Sequence, residues 1–197
     1  ITEKGDFALI AWAQEAKRVA RQTDTTHINI DKLVRVLPEI RSMTLETPAE
    51  FSAELKDKLA QCGIALVFLP HLQGSFLQGA SFIDGKKIVI GLTARGKDAD
   101  RFWFSLFHEL GHIVLGHIGK TDEITEQDEA DLWAKDELIP KEEFEQFKKT
   151  QDYSSISVCD FANKIGIAPG IVVGRLQKER CITYNMLNEL KEQYEIA

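Results

Sequence analysis

The sequence predicts an α+β fold, in which helices pack against a small sheet of roughly three strands. Three short apolar segments, at 64–69, 80–83 and 88–92, have the length and composition of strands, and Pro70 ends the first of them. The pair Asp84-Gly85 between the last two is a hairpin signal. Longer segments with apolar residues at helical spacing lie on both sides of these strands, which is typical of an α+β chain.

Three helices are predicted before the first strand. Segment 7–20 carries apolar residues at helical spacing among charges and is expected to be an amphipathic helix. A short helix is expected at 31–37, before Pro38. Thr47-Pro48-Ala49-Glu50 has the form of a capping box with proline in the first helical position, and the apolar stripe after it continues until Gly63.

Composition and charge limit the kinds of function. A chain of 197 residues, 44% of them hydrophobic, can form one core and a small additional unit. The net charge of −7 disfavours direct nucleic-acid binding, which depends on clustered lysine and arginine. Three widely spaced cysteines, and no apolar run near the roughly 20 residues of a membrane span, favour a soluble, cytoplasmic chain with no membrane contact. The first residue, Ile1, suggests that an upstream segment is missing.

The motif His108-Glu109-Leu110-Gly111-His112 gives the strongest functional signal. Residues four apart lie on nearly the same face of a helix, so both imidazoles can reach one metal ion. Glu109 then lies beside the ion and can act as general base on a water molecule. The sequence therefore predicts zinc-dependent peptide hydrolysis, with His108 and His112 as zinc ligands and Glu109 as the catalytic base.

The residues around the motif support a metal site rather than a chance match. The segments 101–107 and 113–115 are apolar on all sides, which predicts a buried helix that ends at Gly116. Burying three polar side chains without partners is costly, and a zinc ion would satisfy them. If the two histidines were ordinary core residues bonded to the backbone, the buried Glu109 would be unexplained.

A peptidase zinc site needs a third protein ligand. The metzincin pattern fails here, because Leu115 and Ile118 stand where that pattern has glycine and histidine. No histidine follows His117, which itself lies off the ligand face, so a carboxylate or a lone cysteine from a later element is expected.

A later helix at 129–140 is the expected source of this ligand, after an acidic connection at 121–128. Its inward side is formed by Ala130, Trp133, Ala134 and Leu138. Glu129 borders that side and Glu137 lies within the same apolar arc, so both are candidates, whereas Asp131 is expected to be solvated.

These residues resemble the ImmA/IrrE family of metallopeptidases, particularly members fused behind an XRE-type helix-turn-helix domain. The similarity is carried by Phe102-Trp103-Phe104, by the run from His108 to His117, by Glu129-Ala130-Asp131 and by Leu138-Ile139-Pro140, and it extends into segment 166–177.

The resemblance implies a set of site residues. In that family the two motif histidines and the glutamate of the Glu-Ala-Asp element bind zinc, which implies His108, His112 and Glu129 as ligands. The motif glutamate is the base, which implies Glu109. At the position of Glu137 the family usually has an apolar residue.

The resemblance also implies a zincin-like metallopeptidase core followed by a small helical, helix-turn-helix-like subdomain. Segments 157–165 and 169–179, joined by Gly166-Ile167-Ala168, have that pattern. Their basic residues are offset by acidic ones, which favours a lid or a docking unit over DNA reading. The expected division is an N-terminal helical segment at 1–47, the core at 48–150 and the C-terminal helical subdomain at 151–197.

The function implied by the resemblance is limited cleavage of a repressor or antitoxin-like DNA-binding protein in a bacterium. An extended substrate could add to the sheet edge at Ala80, Ser81 and Phe82, where small residues let a backbone approach. His117 and Tyr153 are candidates for stabilising the oxyanion. The alternative function is a regulatory or sensor module of an XRE-type transcription regulator or antitoxin, with little or no peptidase activity. In either case DNA would be bound only through a separate helix-turn-helix domain.

Overall fold

The computed structural model describes residues 3–70, 78–93, 97–119 and 124–194, and within them it has the predicted α+β architecture, with eight α-helices and a three-stranded mixed sheet. In chain order the elements are α1 (Glu3–Ala20), α2 (Ile30–Ser42), α3 (Pro48–Ala60), β1 (Ile64–Leu69), β2 (Gly79–Asp84), β3 (Lys87–Thr93), β4 (Lys97–Asp98), α4 (Ala99–Val114), α5 (Ile124–Leu138), α6 (Lys141–Thr150), α7 (Ser155–Ile165), α8 (Pro169–Lys178) and β5 (Gln193–Tyr194).

The main sheet has the strand order β1-β3-β2. Strand β3 is the central strand. It pairs parallel to β1, and it pairs antiparallel to β2 through the predicted hairpin. Gly85 in the turn has a φ of 66°, a left-handed conformation that glycine adopts without a steric penalty. The strand order makes β2 an edge strand, and it lies beside the motif helix α4.

The two faces of the sheet are covered by different helices. Side chains of β1 and β3 alternate between the faces, as the two-residue period of a strand requires. One face packs against α1, where Trp12 lies over Gly91 so closely that a Cβ there would stand 2.6 Å from its ring. The other face packs against α3 and α4 and joins the large core. This arrangement fixes α4 directly above the sheet.

The prediction that the second helix ends before Pro38 is wrong. Helix α2 continues to Ser42, with Pro38 inside it. Proline removes one backbone hydrogen bond, but the apolar stripe of α2 runs across it, and Leu33, Leu37 and Ile40 are all buried. Packing of this stripe outweighs the local cost of the proline.

The acidic connection predicted at 121–128 is helical in the part that the structure describes, and residues 121–123 lie outside the described residues. Helix α5 begins at Ile124, so the second half of that segment forms its first turn. Acidic residues are favourable there, because the N-terminal end of a helix carries a partial positive charge.

The C-terminal part of the chain packs on α4. One large hydrophobic core contains residues from Leu33 to Tyr194, and β5 pairs with β4 directly before α4. Trp103 donates a hydrogen bond to the buried hydroxyl of Tyr194, 3.0 Å away. The division into segments 1–47, 48–150 and 151–197 stays a prediction.

Helices α7 and α8 occupy the two segments predicted as helix, turn and helix. Gly166 ends α7 in the left-handed conformation, with a φ of 71°. In the described part of the chain, no single helix is long and apolar enough to cross a membrane. The pair α7 and α8 reaches that length and composition together, but the two are bent by 112°.

Candidate metal and catalytic site

The motif histidines lie in the last two turns of α4. The helix ends at Val114, and Gly116 follows with a φ of 73°, which turns the chain back on itself. The backbone N–H of His117 then donates to the carbonyl of His112, 2.9 Å away. This turn brings a third histidine against the motif.

The two motif imidazoles face each other through the nitrogens that a zinc ion would use. Nε2 of His108 and Nε2 of His112 are 3.1 Å apart. Two imidazole nitrogens bound to one tetrahedral zinc stand roughly 3.3 Å apart, because each Zn–N bond is roughly 2.0–2.1 Å long. Oε1 of Gln127 lies 3.1 Å from the same Nε2 of His108. The spacing of the two imidazole nitrogens therefore suits two ligands of one zinc ion.

Asp131 from α5 holds the other side of His108. Nδ1 of His108 donates to Oδ1 of Asp131 over 2.8 Å. Burial lowers the pKa of His108, but the hydrogen bond to Asp131 and the charges of Glu109 and Asp131 outweigh it, and the net pKa is raised. The same hydrogen bond lowers the pKa of Asp131. A carboxylate in this position fixes the ring and leaves Nε2 pointing towards a metal.

Glu109 is a buried carboxylate held by the edge strand. Glu109 is only 6% exposed, and the hydroxyl of Ser81 donates a hydrogen bond to Oε2 of Glu109 over 2.7 Å. A Cβ on Gly79 would stand 3.0 Å from Oε1 of Glu109. Strand β2 therefore both orients the carboxylate and, by lacking a side chain at Gly79, leaves room for it.

The third histidine links the motif to Glu129. Nδ1 of His112 and Nδ1 of His117 are 3.1 Å apart, and Nε2 of His117 is 3.2 Å from Oε2 of Glu129. The side chain of Glu129 is 66% exposed. Glu129 and Glu137 both line a second surface depression, together with Leu115, and the opposite charge near Glu137 is that of Arg41.

The third zinc ligand is not assembled in this arrangement. Among the side chains that the structure describes, no three His, Cys, Asp or Glu residues converge on one point. Two imidazoles converge, and Glu129 contacts His117 instead.

A large open cavity extends from this site. It has a volume of about 1520 Å³ and is lined by the whole of the β2 segment 79–83, by the motif residues and by one side of α8. Of the residues predicted to bind substrate, Ser81 points to Glu109, whereas Ala80 and Phe82 pack on the α1 side of the sheet. Tyr153, an oxyanion candidate, instead donates to the carbonyl of Lys148.

Residues 63–177, more than half of the chain, match the family model described as the IrrE N-terminal-like domain of peptidase family M78. The chain belongs to the ImmA/IrrE (M78) family. This family is generally one of zinc metallopeptidases, so the M78 domain indicates a peptidase-like or regulatory function. A search of curated proteins gives no match.

Three side chains of the M78 site were not predicted from the sequence. The sequence predicts a solvated Asp131 and a His117 off the ligand face, and it predicts no role for Gln127. In the structure all three contact a motif histidine. The spacing of Gln127 and Asp131, four residues apart, was the signal that could have placed both on one face of α5.

Proposed function

We propose that this chain is a zinc-dependent endopeptidase that makes limited, regulatory cuts in a repressor or antitoxin-like DNA-binding protein. The observation that carries the proposal is the position of Glu109. Its buried carboxylate is oriented by Ser81, next to two imidazoles whose Nε2 atoms face each other, and all four residues line one open cavity.

His108 and His112 would hold the zinc, with Glu129 as the third ligand. The contact between Glu129 and His117 uses Oε2 only, and a carboxylate can bind a metal through its other oxygen at the same time. A zinc ion bound here supplies a Lewis acid that polarises the scissile carbonyl and makes water more acidic.

Glu109 performs the proton transfers. It takes a proton from the attacking water and delivers it to the nitrogen of the leaving amine, so that one carboxylate serves as base and then as acid. The hydrogen bond from Ser81 holds Oε2 of this carboxylate in place. Ser81 is a positioning residue in this scheme.

Strand β2 would bind the substrate. Its pairing with β3 uses one edge, and the other edge borders the cavity. An extended peptide that adds to this edge passes beside Ser81 and Glu109. The cavity volume of about 1520 Å³ exceeds the roughly 300–1,000 Å³ of small-molecule pockets, which favours a polypeptide.

Family membership and charge support the proposed substrate class. A DNA-binding repressor carries basic residues, and a chain with a net charge of −7 attracts a basic partner. DNA itself would be bound by a separate helix-turn-helix domain.

A second candidate function is a regulatory or sensor module with little or no peptidase activity. The observation that favours it is the incomplete ligand set, in which two imidazoles converge among the described residues and Glu129 contacts His117. Such a domain would bind a partner or a metal and control DNA binding by a linked domain.

Metal content and cleavage together distinguish the two candidates. Zinc is measured by elemental analysis in the wild type, in Glu129→Gln and in the control Glu137→Gln, which changes a carboxylate of the same helix away from the histidines. Candidate repressors are incubated with the wild type and with Glu109→Gln.

The peptidase proposal predicts about one zinc per chain in the wild type and in Glu137→Gln, and loss of zinc in Glu129→Gln. It also predicts that Glu109→Gln keeps its zinc and cuts nothing. Zinc without cleavage of any candidate favours the regulatory module, and no zinc after reconstitution excludes the zinc chemistry.

A further inference from the structure

A continuous line of polar contacts crosses the site. It runs from Asp131 through His108, His112 and His117 to Glu129, with distances of 2.8, 3.1, 3.1 and 3.2 Å between successive polar atoms. Both ends of the line are carboxylates, which only accept hydrogen bonds when ionised. Three neutral imidazoles carry three N–H hydrogens for these four contacts, so one contact has none, and the two facing Nε2 atoms are the pair that a metal ion could bridge instead.

The Glu129 end determines the tautomer of His117. Nε2 of His117 must carry a hydrogen to donate to the carboxylate of Glu129. A neutral imidazole has one N–H, so Nδ1 of His117 is then an acceptor. Because that atom lies 3.1 Å from Nδ1 of His112, the hydrogen in this contact belongs to His112.

The tautomer of His112 decides which of its nitrogens can bind a metal. With its hydrogen on Nδ1, the lone pair of His112 is on Nε2, the atom that faces Nε2 of His108. With the hydrogen on Nε2, that nitrogen could not coordinate zinc. His117 therefore selects the metal-binding tautomer of its neighbour.

The fold holds His117 in this place firmly. Its residue is only 7% exposed, and the left-handed turn at Gly116 brings its backbone N–H onto the carbonyl of His112. The same histidine is thus attached to His112 by both backbone and side chain. A buried histidine that is fixed twice to a single neighbour is suited to orient that neighbour.

We propose that His117 is a positioning residue that holds His112 in the Nδ1–H tautomer, with Glu129 as the acceptor that fixes His117 in turn. The proposal rests on the proposed function in that His112 is taken as a zinc ligand. Loss of an interaction that orients a zinc-binding histidine typically weakens metal affinity about 10–100-fold.

A matched pair of variants separates this role from simple packing. In His117→Asn, the side-chain oxygen can take the place of Nδ1 and still accept from His112. In His117→Leu, a side chain of similar shape has no acceptor. His27→Leu removes an exposed histidine outside the site and is the control.

Two quantities are measured on the full chain. The first is the tautomer of His112 in metal-free protein, from nitrogen-15 chemical shifts of labelled histidine at a pH where the imidazoles are neutral. The second is the zinc dissociation constant, from competition with a chelator. Thermal unfolding checks that each variant is folded.

The proposal predicts the Nδ1–H tautomer of His112 in the wild type, His27→Leu and His117→Asn, and its loss in His117→Leu. It predicts a zinc dissociation constant about 10–100-fold higher in His117→Leu, with most of the affinity restored in His117→Asn.

A wild-type His112 with its hydrogen on Nε2 overturns the proposal, even if His117→Leu does not fold. So does a His117→Leu variant with unchanged tautomer and affinity, or a His117→Asn variant as weak as His117→Leu. If the wild type binds no zinc, the proposed function fails, while the tautomer comparison still decides the role of His117.

Discussion

Adding one methyl group at Gly79 should impair cleavage without removing the metal. A Cβ at this position would stand 3.0 Å from Oε1 of Glu109, 3.2 Å from its Cγ and 2.8 Å from Cδ2 of Leu92. Ordinary contacts of a Cβ begin at 3.4 Å, so the carboxylate must retreat by at least a few tenths of an ångström. Misplacing a catalytic group by about 1 Å can cost about 100-fold in rate, so a roughly 10–100-fold loss is expected in Gly79→Ala.

The assay compares the rate of repressor cleavage, the zinc content and the unfolding free energy of Gly79→Ala and wild type. Overpacking of this kind costs about 1–3 kcal/mol of stability, so Gly174→Ala is the control. Gly174 lines the same cavity, but a Cβ there would meet Asp100 rather than Glu109. Wild-type cleavage in a folded Gly79→Ala enzyme would refute the role given to Glu109, and an equal rate loss in Gly174→Ala would show that the effect is not local.

Three further predictions concern single side chains. Ser81→Ala removes the hydrogen bond to Glu109 and should slow cleavage less than Glu109→Gln, with unchanged zinc content; equal losses would contradict a positioning role. Arg41→Met removes two hydrogen bonds to carbonyls at the ends of α5 and α7, and should lower the free energy of urea unfolding by about 2–4 kcal/mol. Burial raises the pKa of Glu137 although the charge of Arg41 opposes this, so ionised Glu137 costs stability in the folded state. Glu137→Gln should therefore stabilise the protein above the raised folded-state pKa, and the gain should disappear as the pH falls below the unfolded-state pKa of about 4.3. A gain that persists at low pH would contradict this account.

Local patterns in the sequence were sufficient to predict the sheet and the motif helix. The Asp84-Gly85 turn and the apolar segments beside it predicted the β2-β3 hairpin, and the structure has it at that place. The apolar surroundings of His108 and His112 predicted a buried helix, which α4 confirms. In each case the signal lies within a few residues of the element that it predicts.

Predictions failed where tertiary packing outweighed a local rule. Pro38 is a helix breaker by its own chemistry, yet the buried stripe of α2 continues through it. Segment 121–128 is predicted to be a solvated connection, yet from Ile124 onwards it forms the start of α5. Neither outcome can be read from the segment alone, because it depends on the surface against which the helix packs.

The residues that surround the motif histidines depend on how α5 lies across α4. Gly111, between the two histidines, allows this close approach, since a Cβ there would stand 3.0 Å from the ring of Trp133 and 3.3 Å from the carbonyl of Ala130. Ala130 packs against this glycine, and the residues before and after Ala130 in the sequence lie on opposite sides of the contact. Asp131 contacts His108, and Glu129 contacts His117. The spacing of the motif predicts that two histidines share one face, but the rotation of α5 that supplies their partners is set by a contact between elements far apart in sequence. The glycine of the motif is therefore as much a part of the site as its histidines, because it determines which carboxylate meets which imidazole.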